Sequence, residues 1–537
     1  MFRRGLAWRV PALDALPLRL ALLLLILAAS AAAQPARTIP VGDEVYATIE
    51  RLQRRGRLLE LHPTALPYTE AEVTAALAVL DGSVLGGAAL DAREAEWVRL
   101  VRQRLAVAVA GPGELAVRAD VGALPQVSTS ARLDGLRPVQ AERSIPIGDG
   151  ALYPQADAHV AMGAGRLVAQ LGVLHSVYAN DDPDGLDLVR RLMVRNQEGY
   201  LAYRGPLADV ALGRIGTHWG TAGRDALVLS DNPYPFDAVH LRLGGSHIAV
   251  RSVLGQLDSA LPDGTFADVP GQRPGDRPSA EPRIDRFFAA HRFDWRPSPK
   301  VALAIVESAV YSGANADPSL AYLVPSQVFA FLIDNTPKNV ENNGAVGAML
   351  WAQWRAWTLQ GQVFVDDFDV VTGAEPTAAA LTGSLVRADA LPGLDLEAGL
   401  TAVTARAYNS PQREGIYTYA LRGLGTEFSD YVHARLGADW FAAPGLTVSP
   451  GVQALWQGAR SPESPYPGND EVGTILTGVV TRTLRLALDA RYQTSPRWWA
   501  RADLGVNWSG DPFARGVHGS ATLGARLGAA GTVRADP

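Results

Sequence analysis

Residues 498–508 alternate without a break. Trp498, Ala500, Ala502, Leu504, Val506 and Trp508 share one face of an extended chain, and Trp499, Arg501, Asp503, Gly505 and Asn507 share the other. Side chains point to opposite sides of a strand in turn, so one surface is wholly apolar and its opposite is polar. A soluble sheet can do this too, but it seldom brackets the apolar face with Trp at both ends. Ten steps along a tilted strand project to roughly 24 Å, the height of the apolar band of an outer-membrane barrel. Aromatic girdles stand at the two edges of such a band.

The pattern recurs. Leu484, Leu486, Leu488, Ala490 and Tyr492 oppose Thr483, Arg485, Asp489, Arg491 and Gln493. Segments 357–366, 432–440 and 446–456 alternate in the same way, and further strands are expected near 114–122, 155–164, 166–176, 246–256, 286–296, 300–311, 393–403, 472–480 and 517–527. The period is two, not 3.6. Charges on the second face need water or one another, so that face is expected to line a polar lumen.

The N-terminus reads as a secretory leader. Arg3, Arg4, Arg9 and Arg19 are basic, Leu20–Ala29 is apolar, and Ala31, Ala32 and Ala33 supply a small-residue cleavage site. No later run is long and apolar enough for a transmembrane helix. Removing residues 1–33, which hold four Arg and one Asp, moves the formal charge from −6 to −9. An acidic mature chain argues against nucleic acid as a partner. The chain has no cysteine, which excludes disulfides, thiol catalysis and Cys-based zinc sites. A periplasmic or secreted β-protein would also fit these facts, but the bracketing aromatics favour a barrel. About 425 residues follow position 113, enough for 16–20 strands.

Residues 34–112 differ. Val45, Ile49 and Leu52 mark a helical stripe after the capping candidate Asp43. Thr69 with Glu72 forms a capping-box pattern ahead of Val73, Ala76, Leu77 and Leu80. Asp91 precedes a third stripe with Trp97, Leu100, Val101 and Leu105. The expected organisation is a leader over 1–33, a small helical bundle over 34–112 at the barrel mouth or inside it, and a barrel over 113–537.

Residues 213–237 begin Gly213-Arg214, continue through Trp219-Gly220 and the run Leu227, Leu229 and Ser230, and end with Asn232, Pro233 and Pro235. This stretch resembles the signature of the capsule assembly Wzi family. The stretch Phe288–Pro297, the pair Asn342-Asn343 and the run Gln360–Phe368 are similar to later family motifs, and Pro40–Asp43 through Pro67 to its helical region. The resemblance implies an outer-membrane barrel of about 18 strands with an N-terminal helical bundle. It also implies a lectin-like, non-catalytic role in attaching capsular polysaccharide to the cell surface. The chain departs from barrel habit by ending Arg534-Ala-Asp-Pro537, without a terminal aromatic, so the last strand is expected to close near Leu527. Segment 258–283 reads as a long Pro- and Gly-rich loop.

Arg214, Trp219, Arg224, Asp231 and Asn232 are the candidate glycan-binding residues. Indole faces stack on sugar C–H groups, and guanidinium, carboxylate and amide pair with hydroxyls or uronates. The competing reading is a loop shaped to fold into the lumen. Arg485, Asp489, Arg491, Arg501 and Asp503 form a candidate lumenal charge ladder, tuning permeation or neutralising one another. Asn180–Asp184 could hold Ca²⁺ but lacks the spacing of a known loop, so a solvated turn is expected and no metal or cofactor is assigned. No Gly-x-Ser-x-Gly or His-Glu-x-x-His motif occurs, and nothing orients His291 and Ser308 as a pair. The chain is therefore expected to be a non-enzymatic, monomeric protein of the outer membrane, inserted by the barrel-assembly machinery. Its expected partners are membrane lipid and a capsular or other surface polysaccharide; a porin-like channel is the alternative.

Overall fold

The computed structural model describes residues 37–87, 89–105, 114–129, 136, 152–180, 194–260, 283–313, 316–329, 341–367, 378–466, 474–512 and 515–534. The proposed leader, most of the Asn180–Asp184 turn and most of segment 258–283 lie outside these residues.

The barrel strands are β1 (Glu114–Ala123), β2 (Gln155–Ala164), β3 (Leu167–Ser176), β4 (Val194–Arg204), β5 (Ala208–Arg214) and β6 (Asp237–Gly244). Then come β7 (Ile248–Gln256), β8 (Asp285–Ser298), β9 (Val301–Gly313), β10 (Glu341–Trp354), β11 (Trp357–Asp367) and β12 (Ala378–Leu391). The set ends with β13 (Leu394–Val403), β14 (Tyr431–Ala443), β15 (Leu446–Gln457), β16 (Thr481–Ser495), β17 (Trp498–Ser509) and β18 (Gly516–Arg534). Each pairs antiparallel with its sequence neighbours, and β1 pairs with β18 from Glu114↔Arg534 to Ala123↔Ala525, which closes an 18-stranded barrel. Closure leaves no sheet edge with unpaired backbone groups, as a lipid environment demands.

Connections at one end take two or three residues, and those at the other take six to thirty-one. Gly393 and Gly445 adopt positive φ in two of the short turns, a conformation that costs glycine little. Trp498 is 58% and Trp508 53% exposed, with Leu504 and Val506 exposed between them, so this face looks outward. Trp295, Trp354, Trp440 and Tyr492 are exposed too, each within four residues of a short turn, and with Trp498 they form one aromatic belt.

Three helices, α1 (Val45–Arg54), α2 (Glu70–Leu85) and α3 (Ala92–Arg104), precede the barrel. Both capping boxes form, Thr69 with Glu72 and Asp91 with Glu94. At α1, Asp43 Oδ1 accepts from Val45 N at 3.0 Å, and its other oxygen binds Arg104 and Arg526. Burial favours the neutral carboxyl there, but these two guanidiniums hold Asp43 well below the usual carboxylate range. Ile49, Leu52, Leu66, Val73, Leu77, Trp97 and Val101 pack into one apolar core between the helices.

The bundle docks at the short-turn end through arginines. Arg55 pairs with Asp395 beside the β12–β13 turn, and Arg99 reaches the Thr494 carbonyl in β16 at 2.9 Å. Deeper in, the non-helical stretch 59–64 leaves carbonyls that no helix satisfies. Arg296 donates to Glu60 O at 3.0 Å, and Arg292 to Thr64 O at 2.6 Å and Thr64 Oγ1 at 2.7 Å. Buried backbone acceptors require such partners, so the inner wall and the bundle complete each other.

Two expectations are corrected. The last strand does not close near Leu527; it continues to Arg534, because β1 offers backbone partners along that whole length. Segment 472–480 supplies no strand over its described residues 474–480. Leu476 and Gly478 take positive φ, and the Thr477 amide and hydroxyl both donate to the Asp430 carboxylate. Strands β4, β5, β6, β10 and β12 were not among the alternating segments.

Candidate functional site

From the long-loop end, two loops fold inward and meet. The segment between β5 and β6 carries an apolar run that packs against the inner wall. Leu227, Val228, Leu229 and Phe236 join Phe288, Phe364, Tyr408, Tyr417 and Leu424 in one buried cluster. Tyr408 and Tyr417 belong to the other loop, between β13 and β14. Arg286 on β8 anchors that loop by donating to the carbonyls of Glu414, Ile416 and Thr418 at 2.6, 2.7 and 3.1 Å.

Hydrogen bonds stitch the loops together. Tyr408 Oη donates to Leu227 O at 2.8 Å, Ser230 N to Leu424 O at 2.8 Å, and Ser230 Oγ to Gly425 O at 2.6 Å. The first loop also touches the bundle: Leu66 and His218 exchange backbone hydrogen bonds at 3.0 and 3.1 Å. The barrel interior is thus filled from both ends.

The structure separates the five candidate glycan residues. Trp219 is 2% exposed; it lies in the interior cluster with the Arg292 guanidinium 5.7 Å from its ring, so its indole offers no free face to a sugar. Arg214 stands apart at the end of β5 in a two-point pair with Asp237, at 2.8 and 2.9 Å. Trp219 thus neither faces outward on an accessible surface nor lines an open passage. Arg224, Asp231 and Asn232 do come together, around a cavity of about 430 Å³. Its wall also carries Asp225, Arg422, Thr426, Glu427, His433 and Gln453.

Within that cavity each candidate is held. Asp231 Oδ1 lies 2.9 Å from His218 Nδ1, while about half of its side chain remains exposed. Asn232 Nδ2 donates to Gly423 O at 2.9 Å and to the Glu427 carboxylate. Arg224 pairs with Glu397 and lies 3.9 Å from Glu50 of α1. His433 Nε2 and Gln453 Oε1 are 3.2 Å apart across the β14–β15 pair. Carboxylates, guanidiniums, amides and imidazoles therefore converge on one space whose size suits a small polar ligand. A second cavity, of about 270 Å³, shares Ser230 and Asp231 and extends toward Asp43, His159 and Glu198.

Arg422, Thr426 and Glu427 had no sequence signal, because the loop that carries them shows neither alternation nor a motif. His433 and Gln453 were legible only as polar-face positions of alternating strands. The charge ladder consists of ion pairs: Arg485 with Asp503, Arg501 with Asp489 at 2.9 Å, and Arg491 with Glu44 of the bundle. Ser308 faces inward toward Tyr417 Oη at 3.3 Å, whereas His291 is on the outer face, so the barrel wall divides them. Among the described residues, no group of three His, Cys, Asp or Glu is arranged to hold a metal.

A closed antiparallel barrel of 18 strands, with an apolar exterior edged by aromatics and a filled interior, has the fold of the outer-membrane β-barrels. Among solved structures that share this fold is one that matches along nearly the whole chain. That structure is Wzi, an Escherichia coli outer-membrane protein involved in group 1 capsule assembly and described as a carbohydrate-binding β-barrel. The TM-score is 0.62 at 12% identity, over 91% of this chain and 99% of that one. The Pseudomonas aeruginosa proteins OccK10 and OpdK also match, at TM-scores of 0.41 and 0.42, 11% and 10% identity, and 78% and 77% of this chain, covering 99% of each of theirs. Those two are too distant to carry an argument. No protein-family model and no curated protein sequence matches the chain.

Proposed function

We propose that this chain is an outer-membrane member of the Wzi family that holds an exported capsular or other surface polysaccharide. It would bind glycan at the loop cavity around Arg224, Asp231, Asn232 and Glu427, and the anchoring would make or break no covalent bond. The observation that carries this reading is the cavity itself, a polar space built by the two inward loops at the long-loop end of a barrel whose interior is filled. Wzi, whose fold the chain shares, is described as carbohydrate-binding. A single sugar unit would bind weakly, and a polymer would gain by occupying many copies of the protein at once. On this reading the protein is a monomer, exported with a cleaved leader and inserted into lipid by the barrel-assembly machinery.

Deleting the gene in a strain that makes a surface polysaccharide, and staining for retained polymer, tests the role. The expected result is normal synthesis with polymer shed into the medium. Unchanged retention would overturn the reading. The porin-like alternative needs a passage, and it is tested by the conductance measurement below.

A further inference from the structure

Ser252, His291 and Glu307 form a row across three neighbouring strands. His291 of β8 is the register partner of Ser252 on β7 and of Glu307 on β9. The row is on the outside of the wall. Phe293 and Trp295 share the His291 face of β8, Ile305 shares the Glu307 face of β9, and all three are exposed. Polar and ionisable groups on a lipid-facing surface are costly and usually mark a function.

The contacts are those of an acid and a base. Glu307 Oε1 lies 2.9 Å from His291 Nδ1. The other ring nitrogen, Nε2, is buried and has no hydrogen-bond partner among the described residues, and the same holds for Ser252 Oγ on the adjoining strand. Ser252 is 1% and His291 5% exposed, and the segment 316–329 packs on this outer face as a strap, its Ala316, Tyr322 and Phe329 clustering with Leu254, Phe287, Ala289 and Tyr311. The Phe329 ring sits 4.4 Å from the imidazole, and its amide donates to Glu307 Oε2 at 2.9 Å. Tyr322 fixes the middle of the strap by stacking on Tyr311 at 4.2 Å and donating to Asn342 Oδ1 at 2.6 Å. Holding the strap uses Glu307 and the aromatic rings. It uses neither the Ser252 hydroxyl nor His291 Nε2, and burying two unpaired polar atoms is unfavourable with no structural return.

We propose that Ser252, His291 and Glu307 are a strapped nucleophile, base and orienting acid that hydrolyse carboxylic esters of lipids at the outer wall. Displacing Phe329 would open the row toward lipid. Glu307 fixes the imidazole so that Nε2 faces the serine side. Ser252 Oγ attacks the ester carbonyl carbon and passes its proton to Nε2. The carbon–oxygen bond to the alcohol then breaks, and the alcohol leaves with that proton. Water repeats the sequence on the acyl-serine, releasing the carboxylic acid and restoring Ser252. In the strapped form Oγ and Nε2 do not bond each other, and such contacts commonly tighten only when substrate is bound. The inference is independent of the glycan reading.

The test treats the full protein in detergent and in phospholipid vesicles with a fluorophosphonate probe, followed by peptide mass mapping. Phe329→Ala and Tyr322→Ala each loosen the strap, so one misfolding variant does not remove the test. The expected result is labelling at Ser252, faster in the loosened variants and absent in Ser252→Ala, with release of fatty acid from the vesicles. His291→Gln should slow labelling on the order of a hundredfold or more. Ser252→Ala should keep the wild-type unfolding midpoint. No label at Ser252 in a folded, loosened variant, or an unchanged rate in His291→Gln, would overturn the proposal.

Discussion

Leu66 and His218 form an antiparallel backbone bridge, each donating its amide to the other's carbonyl. One belongs to the N-terminal bundle and the other to the loop between β5 and β6, so the two halves of the plug touch inside the barrel. Antiparallel partners sit within disulfide reach, and the chain has no cysteine to compete. The double variant Leu66→Cys, His218→Cys should therefore crosslink on mild oxidation, read as a reduction-sensitive gel shift of the folded protein. Failure to crosslink would mean that the two halves stay apart.

A filled interior predicts electrical silence. In planar bilayers the full chain should show no steady conductance. Deleting residues 37–105, which removes the bundle that meets the loops, should produce flickering or open channels. A large steady conductance from the intact protein would favour the porin-like reading.

Trp219 is a core residue, so Trp219→Ala should act through stability. Removing a buried Trp costs about 3–5 kcal/mol, whereas Trp219→Phe keeps most of the packing and should cost much less. The unfolding midpoint in urea measures both. Asn232→Ala and Glu427→Ala break hydrogen bonds between the two loops, so they should cost less, about 1–3 kcal/mol, and should weaken glycan binding as well. Each lost hydrogen bond is worth about 1 kcal/mol, or roughly fivefold in affinity.

His62 supplies a pH dependence. Burial depresses its imidazole from 6.5 to about 4, against the raising effect of Asp294. The unfolded imidazole takes a proton below about pH 6.5, and the docked one does not until about pH 4. The stability of the docked bundle from this group is therefore complete above pH 6.5 and is lost as pH falls toward 4, by roughly 3 kcal/mol at most. Unfolding midpoints of wild type and His62→Gln, compared from pH 7.5 to 4, should diverge in that window. Equal slopes would refute it.

The wall of the barrel was legible wherever its inner face meets charge or water. Strand β17 shows this best, with Trp498 and Trp508 outward and Arg501 and Asp503 inward. It was illegible where the plug lies against it. On β10 the inward residues Ala345, Met349 and Trp351 are buried, while Val346 is exposed on the outer face, so both faces are apolar and the period of two disappears. Trp219 misled for a related reason. An aromatic in a Gly-rich loop reads as a binding platform when the loop is assumed to face water, and this loop turns inward. Arg422 and Glu427 were invisible because what assembles their cavity is the contact between two loops almost 200 positions apart, Ser230 with Leu424 and Gly425.

The seam between β1 and β18 sets a timetable. Glu114 pairs in register with Arg534, 420 positions later, so that pairing waits for the last strand. The bundle is made first and occupies the interior, and its arginines and orphan carbonyls are matched only by the finished wall. A cylinder sealed before the bundle entered would have to admit it afterwards through a ring of short turns. The cheaper order seats the stopper while the sheet is still open and lets the last strand zip the wall around it, with the slow, long-range step at the end.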